Sequence, residues 1–181
     1  MLKKWLVIDS KSVYKSKFVE VLEETVKLTN GKIISDFNLV KLPDIVMIVA
    51  MTKDQRIIIL QEYKHGSKEF LYTIPAGHIQ DNANIDQIIN QAKAELLEET
   101  GYSSNNFEFK QILFEYPSKA RHKVFVVMAT DAYQISNQKL EETETLKYQL
   151  IEINNLKKLI KDNLWTHSSS LSALVVSGVL S

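Results

Sequence analysis

The sequence predicts an α+β fold, a sandwich with a central mixed sheet. Short apolar, β-branched runs of strand length recur through the middle of the chain. Segments with helical spacing of apolar residues are set among and after them. The length of 181 residues, with 45% hydrophobic and 24% charged residues, suits one globular domain with a sizeable core, carrying a small N-terminal appendage.

From the N-terminus, Trp5 to Leu28 mixes β-branched with charged residues, and Asn30-Gly31 then marks a turn. Strand-like residues flank it at 25–28 and 32–34, which predicts an antiparallel hairpin. Residues 46–51 are apolar throughout, as in a buried strand, and 56–62 read as the partner across a turn at Lys53-Asp54. A short strand at 70–74 ends at Pro75. A polar loop, 80–84, leads into a helix over about 85–100 with an apolar stripe of Ile85, Ile89, Ala92 and Leu96. Strands follow at 107–115 and 123–130, a polar loop at 134–145, and a strand at 148–153. Leu156, Leu159, Ile160 and Leu164 give 153–164 helical spacing, and 168–180 reads as a last helix with an apolar face. Residues 1–42 are thus an N-terminal strand segment and 43–181 the main domain.

Composition excludes several function classes. Lys plus Arg and Asp plus Glu number 22 each, so the chain lacks the basic excess of a protein that grips long nucleic acid. Without cysteine there is no disulfide, thiolate metal site or cysteine nucleophile. No apolar run reaches the roughly 18 residues of a membrane span, and none near the start is long enough for a signal peptide. A cytoplasmic location is expected.

The chemistry concentrates at 94–102. On a helix turning about 100° per residue, Glu95, Glu98 and Glu99 fall on one face beside the apolar stripe. Like charges at these spacings repel, and a hard cation such as Mg2+ or Mn2+, which prefers oxygen ligands, would relieve the repulsion. Three glutamates alone read first as a solvated acidic face. Their context adds more: Ile74-Pro75-Ala76-Gly77 precedes them and Glu98-Glu99-Thr100-Gly101-Tyr102 closes the helix, with Gly101 suited to a left-handed cap.

This arrangement resembles the Nudix box, in which a glycine and a glutamate precede Arg-Glu-aliphatic-x-Glu-Glu-x-Gly-aliphatic. Gly77 matches the first glycine, and Glu95, Leu96, Glu98, Glu99 and Gly101 match the core of the pattern. Tyr102 takes the last, usually aliphatic place. The stretch after Gly77 is three residues longer than the pattern, Asp86 stands for the first glutamate, and Ala94 for the arginine that helps hold a glutamate in its metal-binding pose. Lys93, next to it, points about 100° away. Asp36-Phe37, Pro43-Asp44, Gln61 to Gly66, and Pro117 at 16 residues after Gly101 are similar to the subgroup that hydrolyses ADP-ribose and related nucleotide sugars.

The resemblance implies a Nudix-type α/β/α sandwich and a pyrophosphohydrolase. Its metal ligands would be Glu95, Glu98 and Glu99 with the Ala76 carbonyl, its cofactor Mg2+ or Mn2+, and its partner a small nucleotide substrate. From ADP-ribose the products would be AMP and ribose 5-phosphate. The general base stays open. The loop after Pro117 carries no carboxylate; it offers His122, whose ordinary pKa is near neutrality, or else a solvated side chain. Glu142 and Glu144 in the later polar loop are the other candidates. Lys64 and the cluster Lys119, Arg121 and Lys123 could hold phosphates, and Phe37 could stack on the base or belong to the core. A catalytically weak domain that binds a nucleotide as a sensor is the alternative function. A homodimer is expected, because the N-terminal hairpin is too small to bury Val26, Leu28, Ile33 and Ile34 by itself.

Overall fold

The structure, a computed structural model, describes residues 2–180. Its elements in chain order are β1 (Leu6–Lys15), β2 (Glu20–Lys27), β3 (Ile33–Lys41), β4 (Asp44–Thr52), β5 (Arg56–Lys64), β6 (Glu69–Thr73) and β7 (Ala76–Ile79). Helix α1 (Ile85–Thr100) comes next, then β8 (Tyr102–Ser103), β9 (Asn106–Leu113), β10 (Ala120–Arg121), β11 (Val124–Gln134) and β12 (Leu146–Glu152). Helices α2 (Ile153–Lys161) and α3 (Ser168–Val176) end the chain. They group into two units, Met1–Asp44 with Phe114–Lys123, and Ile45–Leu113 with Val124–Ser181.

The smaller unit holds a four-stranded sheet in the order β1-β2-β3-β10. The predicted hairpin is its β2–β3 pair, with Val26 opposite Ile34. The reversal is wider than Asn30-Gly31 alone: Leu28 N–H donates to Lys32 O at 2.8 Å, and Gly31 takes a left-handed φ of 86°. Strand β1 is an addition to the sequence reading. Two register shifts interrupt its pairing with β2, so its apolar residues never alternate cleanly and no period of two shows in the sequence. Of the four apolar hairpin residues, Val26 is buried and Ile33 is exposed.

The larger unit is built on an eight-stranded sheet whose main path runs β12-β5-β4-β11-β8, with β6 on β5, β7 on β4 and β9 on β11. Strands β4 and β11 run parallel while β9 and β12 pair antiparallel with their neighbours, so the sheet is mixed. Alternate side chains of a strand point to opposite faces, and here both faces are covered. Val46, Ile48 and Ala50 of β4 join Phe125, Val127 and Ala129 of β11 under Ile88, Ala92 and Leu96 of α1. Met47 and Val49 join Val124 and Val126 on the other face, against Leu156 of α2, Trp165, and Ala173 and Leu174 of α3. This helix–sheet–helix layering explains why the run at 46–51 is apolar without alternation.

Several boundaries differ from expectation for local reasons. The buried stripe of α1 is Ile88, Ala92 and Leu96, whereas Ile85, one residue into the helix, is exposed. Helix α2 stops at Lys161, short of Leu164, where Asn163 turns left-handed. Helix α3 stops at Val176, ahead of Gly178 with φ 81°. Strand β11 runs past Thr130 to Gln134 by absorbing an irregularity at Asp131, also left-handed. No helix among the described residues is long and apolar enough to cross a membrane.

Candidate active site

Helix α1 is fixed at both ends. Asn84 accepts from Gln87 N–H at 3.0 Å while the Gln87 side chain accepts from Asn84 N–H at 2.9 Å, a reciprocal capping box. At the other end Gly101 adopts φ 75° and donates its N–H to Leu97 O. Carbonyls left open there are taken by the polar stretch after β11. Ile135 and Ser136 N–H donate to Gly101 O, and Lys139 N–H to Glu98 O. The Gln138 amide donates to Glu99 O. The stretch read as a loop is therefore tied to the C-terminal turn of α1, and Thr145 O accepts from Tyr63 N–H of β5 at its far end.

That tethering brings Glu141 and Glu144 to the same cavity, of about 520 Å³, as Glu95, Glu98 and Glu99. Glu62 of β5 is a sixth carboxylate on its wall. Ranged against them is one lysine, Lys64, whose Nζ already lies 2.6 Å from Glu62 Oε1. His78 and His167 are the two lining imidazoles.

The carboxylates differ in environment. Glu99 is buried, and one oxygen accepts from Ala76 N–H at 3.0 Å. Burial pushes its pKa up to about 9; the Ala76 N–H opposes the rise, and the charges of Glu95, Glu62 and Glu144 add to it. Glu95 is also shifted up, first by burial, with the Gln91 amide working against and Glu98, Glu144 and Glu141 adding. Gln91 donates to Glu95 Oε1 at 2.8 Å one helical turn away. Ala94 has no donor to offer, so this amide is what holds the Glu95 side chain. Gly77 supplies the space: a Cβ there would stand 1.7 Å from Glu95 Oε1.

The donor set suits a hard cation. Glu95, Glu98 and Glu99 offer oxygen donors in a strongly acidic setting, and burial makes Glu99 hold its proton above the usual carboxylate range. Among the described residues no three His, Asp or Glu side chains converge closely enough to hold an ion by themselves.

Other predicted residues lie in the smaller unit. Phe37 packs edge-on to Trp5 with centroids 5.6 Å apart, and Lys119 Nζ sits 4.1 Å over its ring. Arg121 pairs with buried Glu24 at 2.9 Å. Pro117 is exposed and follows Tyr116, which has a left-handed φ of 42°. His122 is not a solvated loop side chain: it is largely buried, with Nε2 3.1 Å from Glu115 Oε2 and Nδ1 without a hydrogen-bond partner. Of the three candidate bases, His122, Glu142 and Glu144, it is Glu144 that shares the cavity with the helix glutamates.

Glu62, Gln91, Glu141 and His167 were missed as site residues. Glu62 had a readable signal, since 58, 60 and 62 share one face of β5 and Ile58 packs in the core beneath α1. Gln91 stands at helical spacing from Glu95. Glu141 and His167 reach the cavity only through tertiary contacts.

Residues 41–173 match the NUDIX domain family. The chain is 25% identical over 155 residues to an ADP-ribose pyrophosphatase of Bacillus subtilis (strain 168), covering 85% of this chain and 82% of the relative. It is 28% identical over 129 residues to the ADP compounds hydrolase NudE of Escherichia coli (strain K12), covering 71% and 67%. Its fold is similar to the crystal structure of an ADP compounds hydrolase, with a TM-score of 0.80 and 24% identity over 98% of this chain and 94% of the other. With the domain match spanning most of its length, this chain belongs to the Nudix family of hydrolases acting on diphosphate bonds.

Proposed function

We propose that the chain hydrolyses the diphosphate of a nucleoside diphosphate derivative, ADP-ribose or another nucleotide sugar, to a nucleoside monophosphate and a sugar phosphate. The observation that carries this reading is the cavity that gathers six carboxylates and a single, already paired lysine. The names of two relatives, an ADP-ribose pyrophosphatase and an ADP compounds hydrolase, support the substrate class.

Glu95, Glu98 and Glu99, with Ala76 beside them, are the residues that would hold Mg2+ or Mn2+. Bound there, the cation supplies charge neutralisation on phosphate oxygens and acidifies water for attack. The chain's own part is to orient and to move a proton. Gln91 and Gly77 keep the Glu95 carboxylate in one pose. Glu144, its Oε2 steadied by Glu141 N–H at 2.8 Å, takes the proton from the attacking water. The water oxygen bonds to phosphorus, the bridging P–O bond breaks, and the leaving phosphate keeps the bridging oxygen. Lys64, held at Glu62, can offer phosphate oxygens the N–H donors which that contact leaves.

The test is to incubate pure protein with ADP-ribose, other nucleotide sugars and dinucleotide polyphosphates, with Mg2+ or Mn2+, and to identify products by chromatography. AMP and ribose 5-phosphate from ADP-ribose are expected. Nucleotide binding without turnover of any of these would replace the enzyme reading with the sensor reading.

A further inference from the structure

The two carboxylate oxygens of Glu95 stand in different surroundings. Oε1 accepts from the Gln91 amide at 2.8 Å, one helical turn earlier in α1. The same oxygen lies against Gly77 of β7, where a Cβ would stand 1.7 Å from Oε1 and 2.0 Å from Cδ. Only a residue without a side chain leaves room for it. Oε1 is therefore closed in between helix and strand and already engaged. Oε2 takes no hydrogen bond and no ion pair among the described residues. A planar group seated at one oxygen has the other in a set place, and Glu95 lines the cavity. Oε2 is then the atom it has to offer there. Glu99 is divided in the same way, with one oxygen accepting from Ala76 N–H at 3.0 Å.

The chemistry of the holding group matters as much as its reach. An amide donates a hydrogen bond without carrying charge. A guanidinium or ammonium in its place would grip Oε1 more strongly, but it would also repel a divalent ion arriving at Oε2. Gln91 sets the pose and leaves the negative charge of Glu95 undiminished. Because donor and acceptor are four residues apart on one helix, the contact is in place once α1 has formed. Orientation of a metal-binding carboxylate by a hydrogen bond from behind is a recurrent device of cation sites.

We propose that Gln91 is a positioning residue of the cation site. With Gly77 it clamps Glu95 Oε1, so that Glu95 meets a divalent cation through Oε2 alone. The proposal rests on the hydrolase reading of this cavity and divides the work within it. Glu95 binds the ion, and Gln91 acts only through Glu95.

The experiment measures Mn2+ binding to nucleotide-free protein by electron paramagnetic resonance. It compares wild type, Gln91→Met, Gln91→Ala, Glu95→Gln and the double variant of Gln91→Met with Glu95→Gln. Methionine keeps the length of the side chain without its N–H, and alanine favours the helix, so the fold does not depend on one substitution. Loss of a group that orients a metal ligand predicts that both Gln91 variants raise the Kd for Mn2+ by about 10- to 100-fold. In the Glu95→Gln background, Gln91→Met should weaken Mn2+ binding no further. Hydrolysis of ADP-ribose should need correspondingly more Mg2+ in the Gln91 variants, and saturating Mg2+ should restore most of the rate. If folded Gln91 variants bind Mn2+ as wild type does while wild type hydrolyses ADP-ribose, this proposal fails and the hydrolase reading stands. Equal weakening with and without Glu95→Gln overturns it too, because Gln91 would then act by another route. If wild type binds Mn2+ but turns over no diphosphate, the hydrolase reading fails and the Mn2+ comparison still decides Gln91. If wild type binds no Mn2+, both fail.

Discussion

At Gly77 and Glu99 the backbone of β7 and the side chains of α1 constrain each other. An added methyl at Gly77 would run into the Glu95 side chain from its carboxylate down to Cγ, so Gly77→Ala should swing that carboxylate aside without breaking the strand. Displacement of a site group by about 1 Å can cost on the order of 100-fold in rate. Hydrolysis is therefore expected to fall by that order while the melting temperature changes little, as checked by kinetics and calorimetry on one preparation. Glu99 carries a pH signature. Its folded pKa is raised, so below about 4.5 its contribution to stability is complete, and it is lost as pH rises toward about 9, where the unfolded chain has long given up the proton. The metal-free protein should lose up to about 1.4 kcal/mol per pH unit from this group between those limits. Glu99→Gln should flatten that slope and leave metal-free stability equal or higher at pH 8. Urea denaturation with chelator at pH 6 and 8 measures it, and identical slopes in the two proteins would refute the assignment.

Among the elements, α1 and the stretch at 135–145 act as one piece, because the latter supplies the donors that satisfy the helix's last carbonyls. Gly101 is the joint. A side chain there would be left-handed and would also place Cβ 2.1 Å from Ser136 O, a backbone atom. Gly101→Ala should cost at least about 1 kcal/mol from conformation alone. It should also cost activity beyond that loss of stability, since Glu144 moves with the stretch; retained activity in the folded variant would contradict the proposed role of Glu144. The sequence made α1 legible because 3.6-residue spacing and Gly101 agree, and made β4 legible because a strand buried on both faces is apolar throughout. Strand β7 was invisible: four residues containing Gly77 and His78 leave no apolar run to read. The three helix glutamates were legible from their spacing together with the flanking Ile74 to Gly77 and Gly101. Glu141, Glu144 and His167 could not be, because what brings them to the cavity is hydrogen bonding between segments far apart in the chain, Lys139 to Glu98 and His167 to Thr73 among them.

For the whole molecule, every residue of β1 is exposed, among them Leu6, Val7, Ile8, Val13 and Tyr14. Contiguous apolar exposure of this kind marks an interaction surface. We propose that a second copy covers it, giving a two-fold dimer, and light scattering at micromolar concentration should read twice 20.8 kDa. A monomer there would remove the proposal. We propose the carboxylate cavity of the larger unit as the place where a diphosphate is cut with a divalent cation. The most direct measurement is AMP release from ADP-ribose by wild type and Glu98→Gln, each with chelator and with rising Mg2+. No release is expected under chelator, and a saturable rise with Mg2+ is expected in wild type. Glu98→Gln should lose about 100-fold or more at unchanged melting temperature. Metal-independent release, or full activity in folded Glu98→Gln, would contradict it.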